Sequence, residues 1–186
     1  MKTSLNKALT LCDEIYESLV YYTLSDKKRE YYTARTLLLR GSIHAEFRHY
    51  EKGLEDVEIA FNAFLALHDN EYCARSLLVK AIALTYNAQF SEALNILNEA
   101  TFYAHHTTNA EIRAAIPLRM GFVHHTMGNH DKALEYYYQT LHGLDEKQYP
   151  LLAATCYNDI AASLTRIEHF SEAEEYYKKA IAINKS

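Results

Sequence analysis

The chain has 186 residues, 49% of them apolar, with a formal net charge of −5, five glycines and two prolines. That length suits one domain or one short array, and the scarcity of glycine and proline favours helix over a turn-rich sheet. The negative balance argues against a nucleic-acid partner. No uncharged apolar run is long enough to cross a membrane, and Met1 to Lys7 lacks the apolar stretch of a signal peptide, so a cytoplasmic location is expected.

The elements follow in chain order. A leading helix is expected over 1–25, read from Thr3 to Leu24, with Ser25 and Asp26 breaking it and able to cap the next. Four helix pairs follow over 27–68, 71–106, 109–144 and 148–184, which makes about nine helices. Asn70 and Asn109 stand where N-caps are needed. Thr108 with Glu111, and Ser171 with Glu174, have capping-box spacing. Pro150 suits a first turn, Gly128-Asn129 breaks a pair at its turn, and Pro117 should kink its helix or delay its start. Cys12, Cys73 and Cys156 are odd in number and far apart, which reads as buried reduced thiols rather than a disulfide frame or a zinc site.

A period of 40 residues runs through the pairs. Gly41, Ala81, Gly121 and Ala161 form one column, and Gly53, Ala93, Ala133 and Ala173 another. Tyr50, Phe90, His130 and Phe170 form a third, and Ala60, Ala100, Thr140 and Ala180 a fourth. Such a period means stacked helical units, each too small to bury its own apolar face. The small residues mark places where two helices approach closely. The aromatic column plugs the space after each turn. Val57, Leu97, Tyr137 and Tyr177 lie between the small residues and should pack against the next unit.

The order small residue, aromatic after the turn, alanine, apolar residue, alanine resembles the tetratricopeptide repeat. It is carried by Met120-Gly121, the run from Gly128 to Tyr137, and the run from Phe170 to Ala180, and it covers about residues 34–186. Asn6 to Tyr16 is similar to the second helix of a degenerate leading unit. The usual period of the family is about 34 residues; the extra length should extend helices and joints, as in the repeat domains of bacterial regulators. The resemblance implies an all-α, right-handed solenoid of antiparallel helix pairs forming a single domain over 1–186. Because the chain stops after a full unit without a polar capping helix, it is expected to be a piece of a longer protein, or to dimerise through its last pair.

In the family the first helix of each pair lines the concave side. Carried over to this chain, the partner-binding residues are Arg35, Leu38, Ser42, Arg75, Leu78, Ile82, Tyr86, Arg119, Phe122, His125, Asn158 and Arg166, with Leu39, Glu46, Val79, Leu118, Thr155, Asp159 and Ala162 beside them. Arginine forks suit carboxylates and Asn158 suits a peptide backbone. An alternative role for some arginines is to bridge helices through Glu46, Glu71, Glu111 or Asp159.

The function expected is a protein- or peptide-binding module, the sensory part of a larger bacterial signalling protein with a diguanylate cyclase, kinase or DNA-binding output. A pheromone-type peptide receptor is the alternative. A metal-dependent enzyme built on His105, His124 and His130 is a further alternative, against which the adjacent His124 and His125 point about 100° apart on a helix. No nucleophile motif or phosphate loop occurs, so neither an enzyme nor a cofactor is expected within these residues.

Overall fold

The computed structural model describes residues 2–185, in which nine α-helices and no strands occur. They are α1 (Lys2–Ser18), α2 (Asp26–Glu46), α3 (Tyr50–Ala66), α4 (Asn70–Tyr86), α5 (Phe90–His105), α6 (Ala110–Thr126), α7 (His130–His142), α8 (Pro150–Arg166) and α9 (Phe170–Asn184). Contacts gather them into two compact units, Met1–Thr107 and Thr108–Ser186.

In the first unit α2 pairs with α3 and α4 with α5, while α3 touches α4 and α2 touches α4. The glycines explain the closeness of the first pair. A Cβ on Gly41 would stand 2.7 Å from Val57 Cγ2 and 2.9 Å from the Gly53 carbonyl, and one on Gly53 would meet the Gly41 carbonyl at 3.0 Å. Ala34, Leu37, Val57, Ala60 and Phe64 fill the core beneath. Phe64 stacks on Tyr72 at 4.7 Å, and Tyr31 stands edge-on to both at 6.0 and 5.7 Å, tying α2 and α3 to α4. The leading helix is fastened by Arg40. Its guanidinium grips the buried Asp56 through two bonds of 2.8 and 2.7 Å, reaches Asp13 of α1 at 3.0 Å, and covers the Tyr16 ring at 5.2 Å. A bidentate, charge-assisted pair of this kind fixes orientation as well as energy.

In the second unit α6 pairs with α7 and α8 with α9, while α7 touches α8 and α6 touches α8. Leu118, Ala133, Tyr137, Cys156, Ile160, Ala161, Leu164 and Ala173 make its core, with Tyr177 packed against it. Gly121 is the site of closest approach: a Cβ there would lie 2.6 Å from Tyr137 Cδ1 and 3.1 Å from the Ala133 carbonyl.

Every pair closes on one turn device. Arg48, Ala88, Gly128 and Glu168 adopt left-handed φ of 62°, 59°, 83° and 64°. The following amide then reaches back five residues, His49 to His44, Gln89 to Leu84, Asn129 to His124 and His169 to Leu164, each at 2.9 Å. This is a Schellman closure, which satisfies carbonyls left open at a helix end. Gly128 adopts it freely, whereas a residue with a Cβ bears a cost of roughly 1–2 kcal/mol there. His68 (φ 56°) ends α3 in the same way, with the Asp69 amide on the Phe64 carbonyl at 3.0 Å.

The helix ends correct several expectations. The first helix stops at Ser18 rather than Leu24, and the segment beyond leaves Val20, Tyr21 and Tyr22 at 71%, 88% and 61% exposure. Ser25 occupies an N-cap position without a side-chain bond. Asp69, not Asn70, caps α4 by accepting the Tyr72 amide at 3.0 Å. Asn109 does cap α6, accepting the Glu111 amide at 3.0 Å, so Thr108 is not part of a capping box. Ser171 lies inside the first turn of α9, one residue beyond its start, so it cannot act as the N-cap. Pro150 opens α8 as expected. α6 starts at Ala110 and runs through Pro117, whose ring therefore does not delay the helix. Phe170 is 62% exposed and plugs nothing, unlike the half-buried Tyr50 and Phe90. The three cysteines are buried and free, as read from their spacing.

Candidate functional site

The first helices of neighbouring pairs touch within each unit, so each unit presents a face made of two first helices. On the first unit these are α2 and α4. Leu39 is 55% and Tyr86 43% exposed, Leu78 and Ile82 are half-buried, and Ser42 spends its hydroxyl on the Leu39 carbonyl at 2.7 Å. Leu38 does not line the face. It is 8% exposed and packs in the core, so the residue presented is Leu39, one position on.

Two arginines share one ring on this face. The guanidinium carbon of Arg35 lies 5.3 Å from the Tyr72 centroid and 5.8 Å from that of Tyr31, and that of Arg75 lies 5.8 Å from Tyr72. Arg75 also donates to Glu71 Oε1 at 3.1 and 3.2 Å. Both residues lie on α4, so this pair does not itself bridge neighbouring helices as foreseen for Glu71. Arg35 is exposed and has no carboxylate partner among the described residues.

The second unit presents α6 and α8. Arg119 and Phe122 are half-buried, Asn158 and Arg166 exposed. His125 is half-buried with Nδ1 2.7 Å from Ser163 Oγ. Burial holds the His125 ring below its ordinary pKa, and the nearby His130 and Arg166 add to that. Asp159 behaves in the opposite way. Burial pushes its carboxyl up to about 6, against the pull of Arg119 and a hydrogen bond from Asn158. No ion pair forms on Asp159 among the described residues, so the attraction of Arg119 does not offset desolvation. The hydroxyl of Tyr137, wholly buried and without a hydrogen-bond partner, feels the same two charges and is held strongly protonated by burial.

Among the described residues no group of three or more His, Cys, Asp or Glu side chains converges as an ion would require. His124 instead stacks on Tyr136 at 5.4 Å, and His125 meets the half-buried His130 edge-on at 5.0 Å.

Sequence reasoning placed Asp159 on this face, beside the partner-binding residues and as an alternative bridge, and overlooked Ser163. A carboxylate that is charged in sequence and desolvated in the fold leaves no trace in spacing. The His125–Ser163 bond joins residues 38 positions apart that fall in different columns of the 40-residue repeat, so a column comparison does not announce it.

Residues 113–186 match the tetratricopeptide repeat family model. Comparison with curated protein sequences gave no match. Solved structures of like fold include a Rap protein complexed with Competence and Sporulation Factor, 16% identical with a TM-score of 0.85, covering 98% of this chain and 50% of that one. Another is the Rap conjugation gene regulator of the plasmid pLS20 in complex with the Phr* peptide, 17% identical with a TM-score of 0.87, covering 99% and 50%. A third is the Signal Transduction ATPase with Numerous Domains protein with a tetratricopeptide repeat sensor from Pyrococcus horikoshii, 19% identical with a TM-score of 0.68, covering 96% and 26%. The chain spans about half the length of the two Rap structures. Residues 113–186 thus carry the tetratricopeptide repeat, and the chain as a whole shares the helix-pair fold of these structures.

Proposed function

We propose that the chain is a protein- or peptide-binding regulatory module, acting through its first-helix faces as the sensory part of a longer signalling protein with an attached output domain. The observation that carries this reading is Asp159. A carboxylate raised to about 6, flanked by Arg119 and Asn158 and beside the orphaned Tyr137 hydroxyl, is a polar cluster held ready at a cost to the fold. Polar groups of this kind select a ligand that completes their hydrogen bonds. Proteins of like fold in complex with Competence and Sporulation Factor and with the Phr* peptide favour the narrower reading, a receptor for a short peptide.

The test is a panel of short unmodified peptides screened for a rise in thermal midpoint, since a ligand at one hundred times its Kd stabilises by about 2.7 kcal/mol. Binders should lose about tenfold in affinity with Asp159→Asn or Arg119→Glu, at unchanged helix content, a loss of about 1.4 kcal/mol. Binding indifferent to both variants would remove α6 and α8 from the site. Stabilisation by a folded partner but by no short peptide would decide against the receptor reading.

A further inference from the structure

The first unit carries a second surface that shares no residue with its first-helix face. Two open depressions of about 450 and 560 Å³ lie on either side of Ile59 of α3, and Ile59 lines both. Leu37, Ala34 and Ala63 complete the apolar floor of one, Leu54 and Leu84 that of the other. Ile59 is 56% exposed. Its own repeat column argues against chance: the positions 40, 80 and 120 residues on are Glu99, Gln139 and Lys179, all polar. Three repeats obey the rule that an outward position is polar, and one breaks it with a branched apolar side chain over two hollows.

The rim supplies the second half of the argument. Asp26, Glu30, Glu55, Glu58 and Glu92 line the two depressions, against Arg29 and Lys80. Both bases are already engaged, Arg29 with Asp26 at 3.4 Å and Lys80 with Glu58 at 2.7 Å. An apolar strip bordered by surplus carboxylates is complementary to an amphipathic helix with a leucine-type ridge and lysine or arginine on its flanks. An anionic membrane or a nucleic acid has the wrong sign for this rim.

We infer that the groove about Ile59 docks a cationic amphipathic helix of a protein partner. The docking surface is separate from the peptide site proposed on the first-helix faces.

The probe is a fluorescein-labelled synthetic helix with leucines at i, i+4 and i+7 and lysines on both flanks, titrated with the full chain and followed by anisotropy. Saturable binding is expected, weakened at least about tenfold by Ile59→Glu, which installs the residue type found at Glu99. Glu55→Lys with Glu92→Lys should weaken it comparably, and added salt should do so through the same charges. Binding of a glutamate-flanked version as tight as the lysine one overturns the proposal. So does equal affinity of Ile59→Glu with helix content retained, or absence of binding at millimolar chain. Asp159→Asn should leave this titration unchanged, so failure here and failure of the peptide reading are told apart.

Discussion

The two units answer one structural position with different chemistry. In the column one turn into the first-helix face, the first unit has Leu39 and Val79, and the second has Arg119 and Asp159. Four residues earlier the relation inverts: Arg35 and Arg75 in the first unit, Ala115 and Thr155 in the second. The first unit keeps its cations over the Tyr72 ring and floors the face with carbon. The second places its charges where burial raises Asp159 to about 6. The scaffold tolerates both because the columns that hold the helices together, Gly41 to Ala161 and Gly53 to Ala173, are separate from those that face outward. Packing and the outward-facing chemistry are written in different registers of one repeat.

The strongest way to break the comparison is at the packing columns, which should respond in both units alike. Gly121→Ala forces a methyl against the Tyr137 ring and the Ala133 carbonyl, and the second unit should lose about 3 kcal/mol. Hydrogen exchange of α6 and α7 amides measures it; protection equal to that of the parent protein would show that Tyr137 can move aside. Gly41→Ala, facing Val57 and the Gly53 carbonyl, should do the same to α2 and α3. Gly143→Ala, whose nearest neighbour is 3.7 Å away, serves as the neutral control.

The charged column should respond in the second unit alone, with opposite sign. Asp159 has a folded pKa above its unfolded value, so its favourable contribution is present below about pH 4 and is lost as pH rises through about 6. Asp159→Asn should therefore stabilise by about 1–2 kcal/mol at pH 7. Denaturant titrations at pH 7, 5.5 and 4 should show the gain shrinking on acidification. A gain that persists at pH 4 would mean that packing, not desolvation, is the cause. His44, His124 and His125 run the other way, their burial favouring the neutral ring, so that stability falls as pH drops below the ordinary histidine range.

The smallest effects belong to the turns, where the comparison sharpens to single residues. Ala88→Gly in the first unit and Glu168→Gly in the second should each stabilise by about 0.5–1 kcal/mol, relief of the left-handed strain being partly offset by the entropy of the unfolded glycine. Gly128→Ala should lose a similar amount. Thermal midpoints check all three, and a fall in midpoint for Ala88→Gly would contradict the strain argument.

The sequence by itself determined the helix pairs, their 40-residue spacing and the small-residue contacts, because these follow from periodicity and side-chain volume, which are local. The pairs fall within a few residues of their expected bounds, and Pro150, Gly128 and Asn109 were legible for the same reason. Only the tertiary structure decided the rest. It revealed the left-handed residues at Arg48, Ala88 and Glu168, which no glycine announces, and the cap at Asp69 instead of Asn70. It moved Leu38 into the core, left Phe170 exposed, desolvated Asp159 and left Ile59 over two hollows. Each of these depends on what packs against a side chain from another helix, and that information does not exist until the helices meet.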